Sequence, residues 1–140
     1  MRAIVLPDLS AARRTPDIAY RVYLAECGTY VRVDVEGQID DENANAFTGE
    51  AISAARDAGV ACILIDARGA RNVASTERNI AHARAARNPQ VANRRALKRV
   101  VLVAEGDRSH DIAIRALQLQ GHDITITRDE AWAERLACGL

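Results

Sequence analysis

Two continuous apolar runs, residues 60–65 and 100–104, stand out in the pattern of hydrophobic and polar positions. Neither run alternates with polar residues, which is typical of strands that are buried on both faces of a sheet. Each run is followed by polar residues and a glycine, and we expect the first strand to stop at Asp66. Residues 18–25 and 30–36 alternate instead, with a glycine turn between them, which predicts a β-hairpin with one face in the core.

Helix signals separate these strands. Asp40 is a good N-cap and Gly59 stands where a left-handed C-terminal cap is expected, so a helix is predicted between them, anchored to the sheet by Phe47. A second helix is predicted over residues 76–87, because Pro89 disfavours helical geometry at the residue before it. Its weak apolar stripe indicates an exposed, basic side.

A third helix is predicted to begin at Ser109, which would serve as its N-cap. Four apolar residues would share its buried face: Ile112, Ala113, Ala116 and Leu117. Residues 124–127 alternate over a short length, as an edge strand does. Thr127 and Glu130 have the spacing of a capping box for a last helix, in which Trp132 and Leu136 would close the core.

This order of elements predicts an α/β fold of a single domain, which suits the length of 140 residues. An N-terminal β-hairpin followed by a βαβαβα order gives a mixed β-sheet with helices packed on it. Residues 18–140 would form the domain, and residues 1–17 an N-terminal arm or an edge strand. The hairpin edge, if unpaired, offers a surface through which a homodimer could form.

Charge is unevenly distributed although the formal net charge is +0. Residues 34–57 hold seven acids and one arginine, whereas residues 68–99 hold nine basic residues and one acid. One interpretation is two solvated faces that partly neutralise each other, and the other is a basic surface for an acidic protein, an anionic lipid face or nucleic acid. Because no aromatic interleaving or nucleic-acid motif accompanies the basic residues, we expect no nucleic-acid partner.

The cysteines and the hydropathy of the chain indicate the cellular compartment in which the protein is expected. The three cysteines form no Cys-x-x-Cys pair, and Cys62 lies in a strand that is predicted to be buried, where a free thiol packs as a small apolar group. This usage favours a reducing compartment, so we expect a cytoplasmic protein. No apolar run approaches the ~18 residues that a transmembrane segment needs.

Catalytic and ligand-binding patterns are weak. Ser109, His110 and Asp111 are consecutive, and neighbours in a helix point about 100° apart, so they cannot form a triad among themselves. The three histidines lack metal-ligand spacing, and no glycine-rich phosphate loop occurs. We therefore predict a non-enzymatic protein with no catalytic residue, metal or cofactor. An enzyme would need Asp66, Arg68 and His110 to converge on one concave volume.

The order of elements over residues 18–136 resembles the STAS domain, the fold of the anti-sigma-factor antagonists and SpoIIAA-like proteins. The Ile63-Leu64-Ile65-Asp66-Ala67-Arg68 strand end and the closing Asp129-Glu130-Ala131-Trp132 helix carry the resemblance. In the antagonists, a partner kinase phosphorylates a serine within an Asp-Ser-Ser/Thr-Gly pattern. The matching stretch here is Ala74-Ser75-Thr76-Glu77, which lacks the Asp and the Gly. The resemblance thus implies phosphorylation of Ser75 or Thr76, while Ser75 as a plain helix cap is the alternative.

The resulting hypothesis is a regulatory module that acts through protein–protein binding, with an acidic partner of the kinase or sigma-regulator type. The predicted partner-binding residues lie after the two buried strands and on the basic helix: Asp66, Arg68, Arg71, Arg78, Arg84, Arg87, Asp107 and His110. A structural alternative for Asp66 is a loop cap that pairs with Arg68 or Arg71. The alternative function is a carrier of a small apolar or lipid-like ligand, since distant relatives of similar topology hold such molecules.

Overall fold

The computed structural model describes residues 13–14, 17–85 and 97–139. Its strands are β1 (Arg13–Arg14), β2 (Ile18–Leu24), β3 (Val31–Ile39), β4 (Cys62–Asn72), β5 (Lys98–Leu102) and β6 (Ile124–Thr127). Its helices are α1 (Asp41–Ala58), α2 (Thr76–Ala85), α3 (Asp111–Leu119) and α4 (Glu130–Ala137). The predicted hairpin, both buried strands, the edge strand and the predicted helices are all present, and the α/β class is confirmed.

The described strands form one mixed sheet in which spatial order follows chain order, β1-β2-β3-β4-β5-β6. Pairing is antiparallel from β1 to β3 and parallel from β3 to β6. The two continuous apolar runs therefore lie side by side, with Ile65 opposite Val101. Parallel pairing requires crossover connections, and helices supply them between β3 and β4 and between β5 and β6.

Helices cover both faces of this sheet. On the first face, α1 packs against β2, β3 and β4, and α3 packs against β6, while α2 contacts both of these helices. On the second face, α4 packs against β4, β5 and β6. Side chains of β4 point alternately to the two faces of the sheet. Ile63 and Ile65 lie in the core under α1, and Leu64 lies in the core under α4. Strands covered on both faces need apolar residues at every position, which explains the unbroken runs.

Helix α1 follows its sequence signals closely. The Asp40 carboxylate accepts a hydrogen bond from the Asn43 backbone N–H at 2.9 Å, and the Asn43 side chain accepts one from the Asp40 N–H at 2.9 Å. Gly59 ends the helix in the left-handed region, at φ 69°. Phe47 is buried and its ring lies 5.9 Å from the ring of Tyr20, so it anchors the helix as predicted.

The end of β4 differs from the prediction. The strand does not stop at Asp66 but continues to Asn72, with Ala67 and Ala70 buried and with Arg68, Gly69 and Arg71 exposed. A register shift between Asp34 and Glu36 lets β3 and β4 stay paired over this extension. Asp66 is therefore a residue within a strand and not the first residue of a loop.

The starts and buried faces of the last two helices were also predicted incorrectly. Ser109 does not cap α3, since its hydroxyl accepts a hydrogen bond from the Asn72 N–H at 3.0 Å. Ile114 is the buried anchor of α3, and Ile112 is exposed. Asp129, not Thr127, caps α4 by accepting from the Trp132 N–H at 3.1 Å.

The core contacts of α4 are small residues. Ala133 and Ala137 are buried, and Leu136 is partly buried against the same cluster. Trp132, which was predicted to close the core, is 47% exposed. Alanine at these positions lets the helix lie close to the sheet, so the bulky indole is directed outward and packs under the Arg135 guanidinium.

The remaining predictions concern the chain before β2 and after α2. Arg13 and Arg14 form β1, which pairs with Tyr20 and Ala19, so the hairpin edge proposed for a homodimer is partly occupied. The rest of the predicted arm, residues 1–12 and 15–16, and also Arg87 and Pro89 lie outside the described residues. Among the helices of the described ranges, none combines the length and the hydropathy that crossing a membrane would require.

Candidate functional site

Asp66 lies at the centre of a group of charged side chains on the second face of the sheet. Its carboxylate accepts hydrogen bonds from the Arg32 guanidinium at 2.8 Å and from the Arg68 guanidinium at 2.7 and 3.0 Å. Glu130 of α4 accepts from the same two arginines, at 3.3 and 3.0 Å. We call Arg32, Asp66, Arg68 and Glu130 the ion-pair cluster. The predicted pairing of Asp66 with Arg68 is therefore confirmed.

Contacts within this polar region shift the pKa values of Asp66 and Arg32 toward their charged forms. Burial alone would raise the pKa of Asp66, but hydrogen bonds and positive charge from Arg68, with the charge of Arg32, lower that pKa below its ordinary value. Burial opposes the charge of Arg32, yet hydrogen bonding to Asp34 raises its pKa. A carboxylate held ionised by two guanidinium groups is a poor proton acceptor at neutral pH, so the arrangement is structural in character.

Tyr23 extends this polar region along the hairpin. Its hydroxyl donates to the Asp34 carboxylate at 2.8 Å. Burial and the hydrogen bond to Asp34 together raise the pKa of Tyr23 to about 12. The alternation over residues 30–36 puts Arg32 and Asp34 on the polar side of β3, but it does not link them to Asp66. That link depends on the register of β3 against β4, which the sequence does not reveal.

A second group of predicted residues lies around α2. Arg71 and Arg78 are exposed, with 72% and 51% of their side-chain surface accessible, and Arg84 is exposed as well. Two aliphatic side chains in the same segment, Val73 and Ile80, are also exposed to solvent. We call these five residues, Arg71, Val73, Arg78, Ile80 and Arg84, the basic edge. Arg87 falls outside the described residues.

Two of the arginines have partners within the chain. Arg78 lies 2.6 Å from the Asp41 carboxylate at the start of α1, and Arg71 lies 3.9 Å from Asp107. Arg71 therefore does not pair with Asp66, the other arrangement that the sequence allowed. In both pairs the arginine is the accessible member, since the partner carboxylates of Asp41 and Asp107 are only 26% and 8% exposed.

Ser75 and Thr76 are exposed at the start of α2. The Ser75 hydroxyl accepts a hydrogen bond from the Arg78 N–H at 3.2 Å, which is the geometry of a helix N-cap. Behind it, the side chain of Asn72 donates to the buried side chain of Asn79 at 3.2 Å and thereby fixes the turn that leads into the helix. The cap interpretation of Ser75 is confirmed by this contact, and phosphorylation stays a prediction.

Asp107 and His110 are buried, so they do not present a surface to a partner. The Asp107 carboxylate accepts from the Ser109 N–H at 2.8 Å, and a His110 ring nitrogen lies 3.1 Å from the Ala70 carbonyl oxygen. Burial opposes ionisation of Asp107, but the hydrogen bonds from Ser109 lower its pKa. Their prediction as partner-binding residues is wrong in this respect, because they instead hold the 105–110 loop against β4.

A cavity of about 290 Å³ lies on the first face of the sheet, between α1, α2, α3 and β3 to β6. Its apolar wall includes Ile39, Phe47, Ile65, Val101 and Ile114. Its polar lining includes the side chains of Asn72, Asn79, His82, Arg99, His110 and His122. Ligand pockets in proteins are typically apolar with a few polar groups, and about 300 Å³ is the lower end of their range. This volume suits a small molecule only.

Arg99 and His122 form the polar end of this cavity. Neither residue is among the site residues that the sequence predicts. Both are buried, and an Arg99 guanidinium nitrogen contacts a ring nitrogen of His122. The apolar run that predicts β5 begins at residue 100 and so leaves Arg99 out of the strand. The signal that could have found it is its alternation with Val101 and Val103, whose side chains point into the core under α1.

The three residues of the hypothetical enzyme site do not converge. Asp66 and Arg68 line a cleft on the second face, whereas His110 lines the cavity on the first face. The sheet separates the two, so no catalytic group forms from them. Within residues 13–14, 17–85 and 97–139, no group of His, Cys, Asp and Glu side chains has the arrangement of a metal site.

A mixed sheet with α1 to α3 on one face and α4 on the other defines the chain as an α/β protein. No protein-family model and no curated protein matches the sequence. In three dimensions it is similar to an uncharacterised protein of the DUF3478 family from Shewanella loihica PV-4, which is described as having a SpoIIAA-like fold. The two chains are 16% identical, with a TM-score of 0.53, and the match covers 90% of this chain and 98% of the other. The fold is therefore SpoIIAA-like, as the resemblance in sequence implied.

Proposed function

We propose that this protein is a non-enzymatic, cytoplasmic regulatory module that binds another protein through the basic edge. The observation that supports the proposal is the combination of three exposed arginines with two exposed aliphatic side chains on one segment, residues 71–84. Protein interfaces are enriched in arginine and commonly have an apolar centre with a polar rim. Val73 and Ile80 would supply the centre, and the arginines the rim.

The expected partner has an acidic surface. Arginine presents planar guanidinium donors that match carboxylates, and a basic surface accelerates association with an acidic one. Arg78 already binds a carboxylate, Asp41, and a partner carboxylate could take that place. A kinase or a sigma-factor regulator is the class of partner that the STAS resemblance implies.

Ser75 is the proposed switch of this surface. Its hydroxyl is exposed at the start of α2, beside the Arg78 N–H that it accepts from. A phosphate at a helix N-terminus is stabilised by the helix dipole and by a neighbouring arginine. The phosphate would also draw the Arg78 guanidinium away from Asp41. The carboxylate of Glu77 would repel the phosphate. Phosphorylation would thus change the charge of the basic edge without moving the sheet.

Charge reversal tests the surface assignment. The double variant Arg78→Glu/Arg84→Glu is compared with Arg56→Glu, a matched control at the far end of α1, where Arg56 is also exposed. Wild type and control should capture the same partner at equal yield, and the double variant should lose it. The captured complex is then cross-linked and mapped by mass spectrometry. If the double variant retains the partner, or the cross-links avoid residues 71–84, the basic edge is not the binding surface.

The cavity supports a second candidate function, the binding of a small apolar ligand that carries a carboxylate. Apolar walls would hold the hydrocarbon part, and the buried guanidinium of Arg99 would bind the carboxylate. The experiment is native mass spectrometry of protein purified without denaturation. A co-purifying small molecule should be lost from Arg99→Met and kept by Arg115→Met, in which the exposed arginine of α3 is changed instead. Absence of any such molecule from the wild type would argue against a carrier.

A further inference from the structure

Two cysteines that are distant in sequence lie side by side in the fold. The Sγ atom of Cys27 is 3.7 Å from the Sγ atom of Cys138, although the residues are separated by 111 positions. Cys27 is exposed in the turn between β2 and β3, and Cys138 follows the last residue of α4. A disulfide requires the sulfur atoms to approach to about 2.05 Å, which is a short movement from this starting point.

Packing on the second face of the sheet holds the two thiols near each other. Ala25 and Tyr30, at the two ends of the turn, belong to the same apolar cluster as Ala137. The turn is closed by hydrogen bonds from the Gly28 N–H to the Ala25 carbonyl at 2.8 Å and from the Ala25 N–H to the Tyr30 carbonyl at 3.0 Å. The proximity of the cysteines therefore rests on ordered backbone on both sides.

The pKa values of the two thiols are shifted in opposite directions. The Sγ atom of Cys27 lies 3.1 Å from the hydroxyl oxygen of Thr29. Burial opposes ionisation of Cys27, but its hydrogen bonds to Thr29 lower the pKa of the thiol. Burial raises the pKa of the Cys138 thiol. Burial also raises the pKa of Cys62, to about 11, inside β4. Since the thiolate is the nucleophile, Cys27 is the thiol that should react first.

We propose that Cys27 and Cys138 form a redox-sensitive pair that closes to an intramolecular disulfide when the protein meets a peroxide. In the first step the Cys27 thiolate attacks one peroxide oxygen, the O–O bond breaks, and the departing hydroxide takes a proton to become water. In the second step the Cys138 sulfur attacks the sulfur of the Cys27 sulfenic acid. The S–O bond breaks, and hydroxide leaves with the thiol proton as water. The two thiols lose two electrons in total, and the peroxide gains them.

Oxidation would change how α4 is attached to the sheet. This helix supplies Glu130 to the ion-pair cluster, and the Lys98 ammonium donates to the Leu136 carbonyl near its end at 2.8 Å. A covalent link from Cys138 to the β2–β3 turn would add one bond to these contacts and prevent the end of α4 from leaving the sheet. Hydrogen peroxide would thus attach the end of α4 to the sheet through a covalent bond.

The test uses the full chain, reduced, freed of reductant and then treated with increasing hydrogen peroxide. Intact mass under non-reducing conditions should fall by two hydrogen atoms, and peptide mapping should find a Cys27–Cys138 cross-link with Cys62 still a free thiol. In Cys138→Ser, the sulfenic acid should persist at Cys27 and be trapped by dimedone. Cys62→Ser should form the disulfide at the wild-type rate.

The assignment of Cys27 as the attacking thiol has its own measurement. Cys27→Ser should lower the rate at which Cys138 is oxidised by about tenfold or more, because the remaining thiol ionises less readily. Circular dichroism of each variant checks that the fold is kept. A cross-link that involves Cys62, a disulfide between two chains, or oxidation of Cys27 no faster than that of Cys62 would overturn the proposal.

Discussion

The Arg32 guanidinium lies 2.8 Å from the Asp66 carboxylate across the neighbouring parallel strands β3 and β4, and each side chain is 13% exposed. Removing one member of a buried ion pair leaves the other charge poorly compensated. Asp66→Asn should therefore lower the free energy of unfolding by about 2 kcal/mol, a value below that of a fully buried pair because some solvent reaches this one.

A matched control for this variant is Asp111→Asn. Asp111 is 39% exposed and lies 3.3 Å from Arg108, so losing its charge should cost only about 0.5 kcal/mol. Urea unfolding of the wild type and both variants gives the two differences. Equal effects of the two substitutions would show that the ion-pair cluster contributes no more than a surface pair.

The pH dependence of stability follows from the lowered pKa of Asp66. The folded state binds a proton on this carboxylate less readily than the unfolded state, so the stabilisation is fully present above the unfolded pKa of about 3.9. It is lost as pH falls through the lower pKa of the folded state. The difference in unfolding free energy between wild type and Asp66→Asn should shrink over that range. A difference that stays constant from neutral pH into acid would contradict the assigned shift.

Ser75 offers a test of its role as a helix cap. Ser75→Ala removes the acceptor of the Arg78 N–H and should cost about 1 kcal/mol, whereas Ser75→Asp keeps an acceptor and should match the wild type within about 0.5 kcal/mol. Thr76→Ala, one position later, removes no cap and is the control. The three unfolding free energies are measured by chemical denaturation. If Ser75→Ala and Thr76→Ala agree, the cap contributes nothing to stability.

Gly37 and Gly49 should respond oppositely to replacement by alanine. Gly37 has φ 110°, and a Cβ atom there would lie 2.2 Å from the Asp17 carbonyl oxygen, so Gly37→Ala should destabilise by about 2 kcal/mol or more. Gly49 lies within α1, and nothing lies within 4 Å of a Cβ atom built there. Gly49→Ala should stabilise by up to about 1 kcal/mol, because alanine is the better helix former. Thermal unfolding of both variants measures the two signs.

Hydrophobic continuity and capping residues predicted most of the fold. The runs at residues 60–65 and 100–104 are correctly predicted as buried strands, because a strand covered on both faces leaves a distinct pattern, and the structure pairs them side by side. The predicted end of β4 is wrong because a polar residue after an apolar run usually marks the end of a strand, whereas here the strand continues beyond Asp66. On the second face, α4 covers part of the sheet only, so a strand there can carry charged side chains and continue.

The predicted site was less accurate because it depends on contacts between distant positions. Arg32 meets Asp66 through the register of two strands, and Arg99 meets His122 although they are 23 residues apart. Asp107 and His110 have polar side chains, yet their hydrogen bonds are made inside the protein. A single sequence shows neither register nor burial of a polar group. It did indicate the exposed arginines of α2, whose segment has few apolar residues to bury.

The agreement between spatial and chain order of the strands bears on how the protein is made. Each strand after β1 lies beside one that has already left the ribosome, so the sheet can grow outward during translation without waiting for distant segments. The second layer is different, since Leu64, Val100 and Leu102 are covered there by α4, the final helix of the described chain. Until that helix arrives, a strip of aliphatic side chains faces water, and nascent chains at this stage are the ones we expect chaperones to engage.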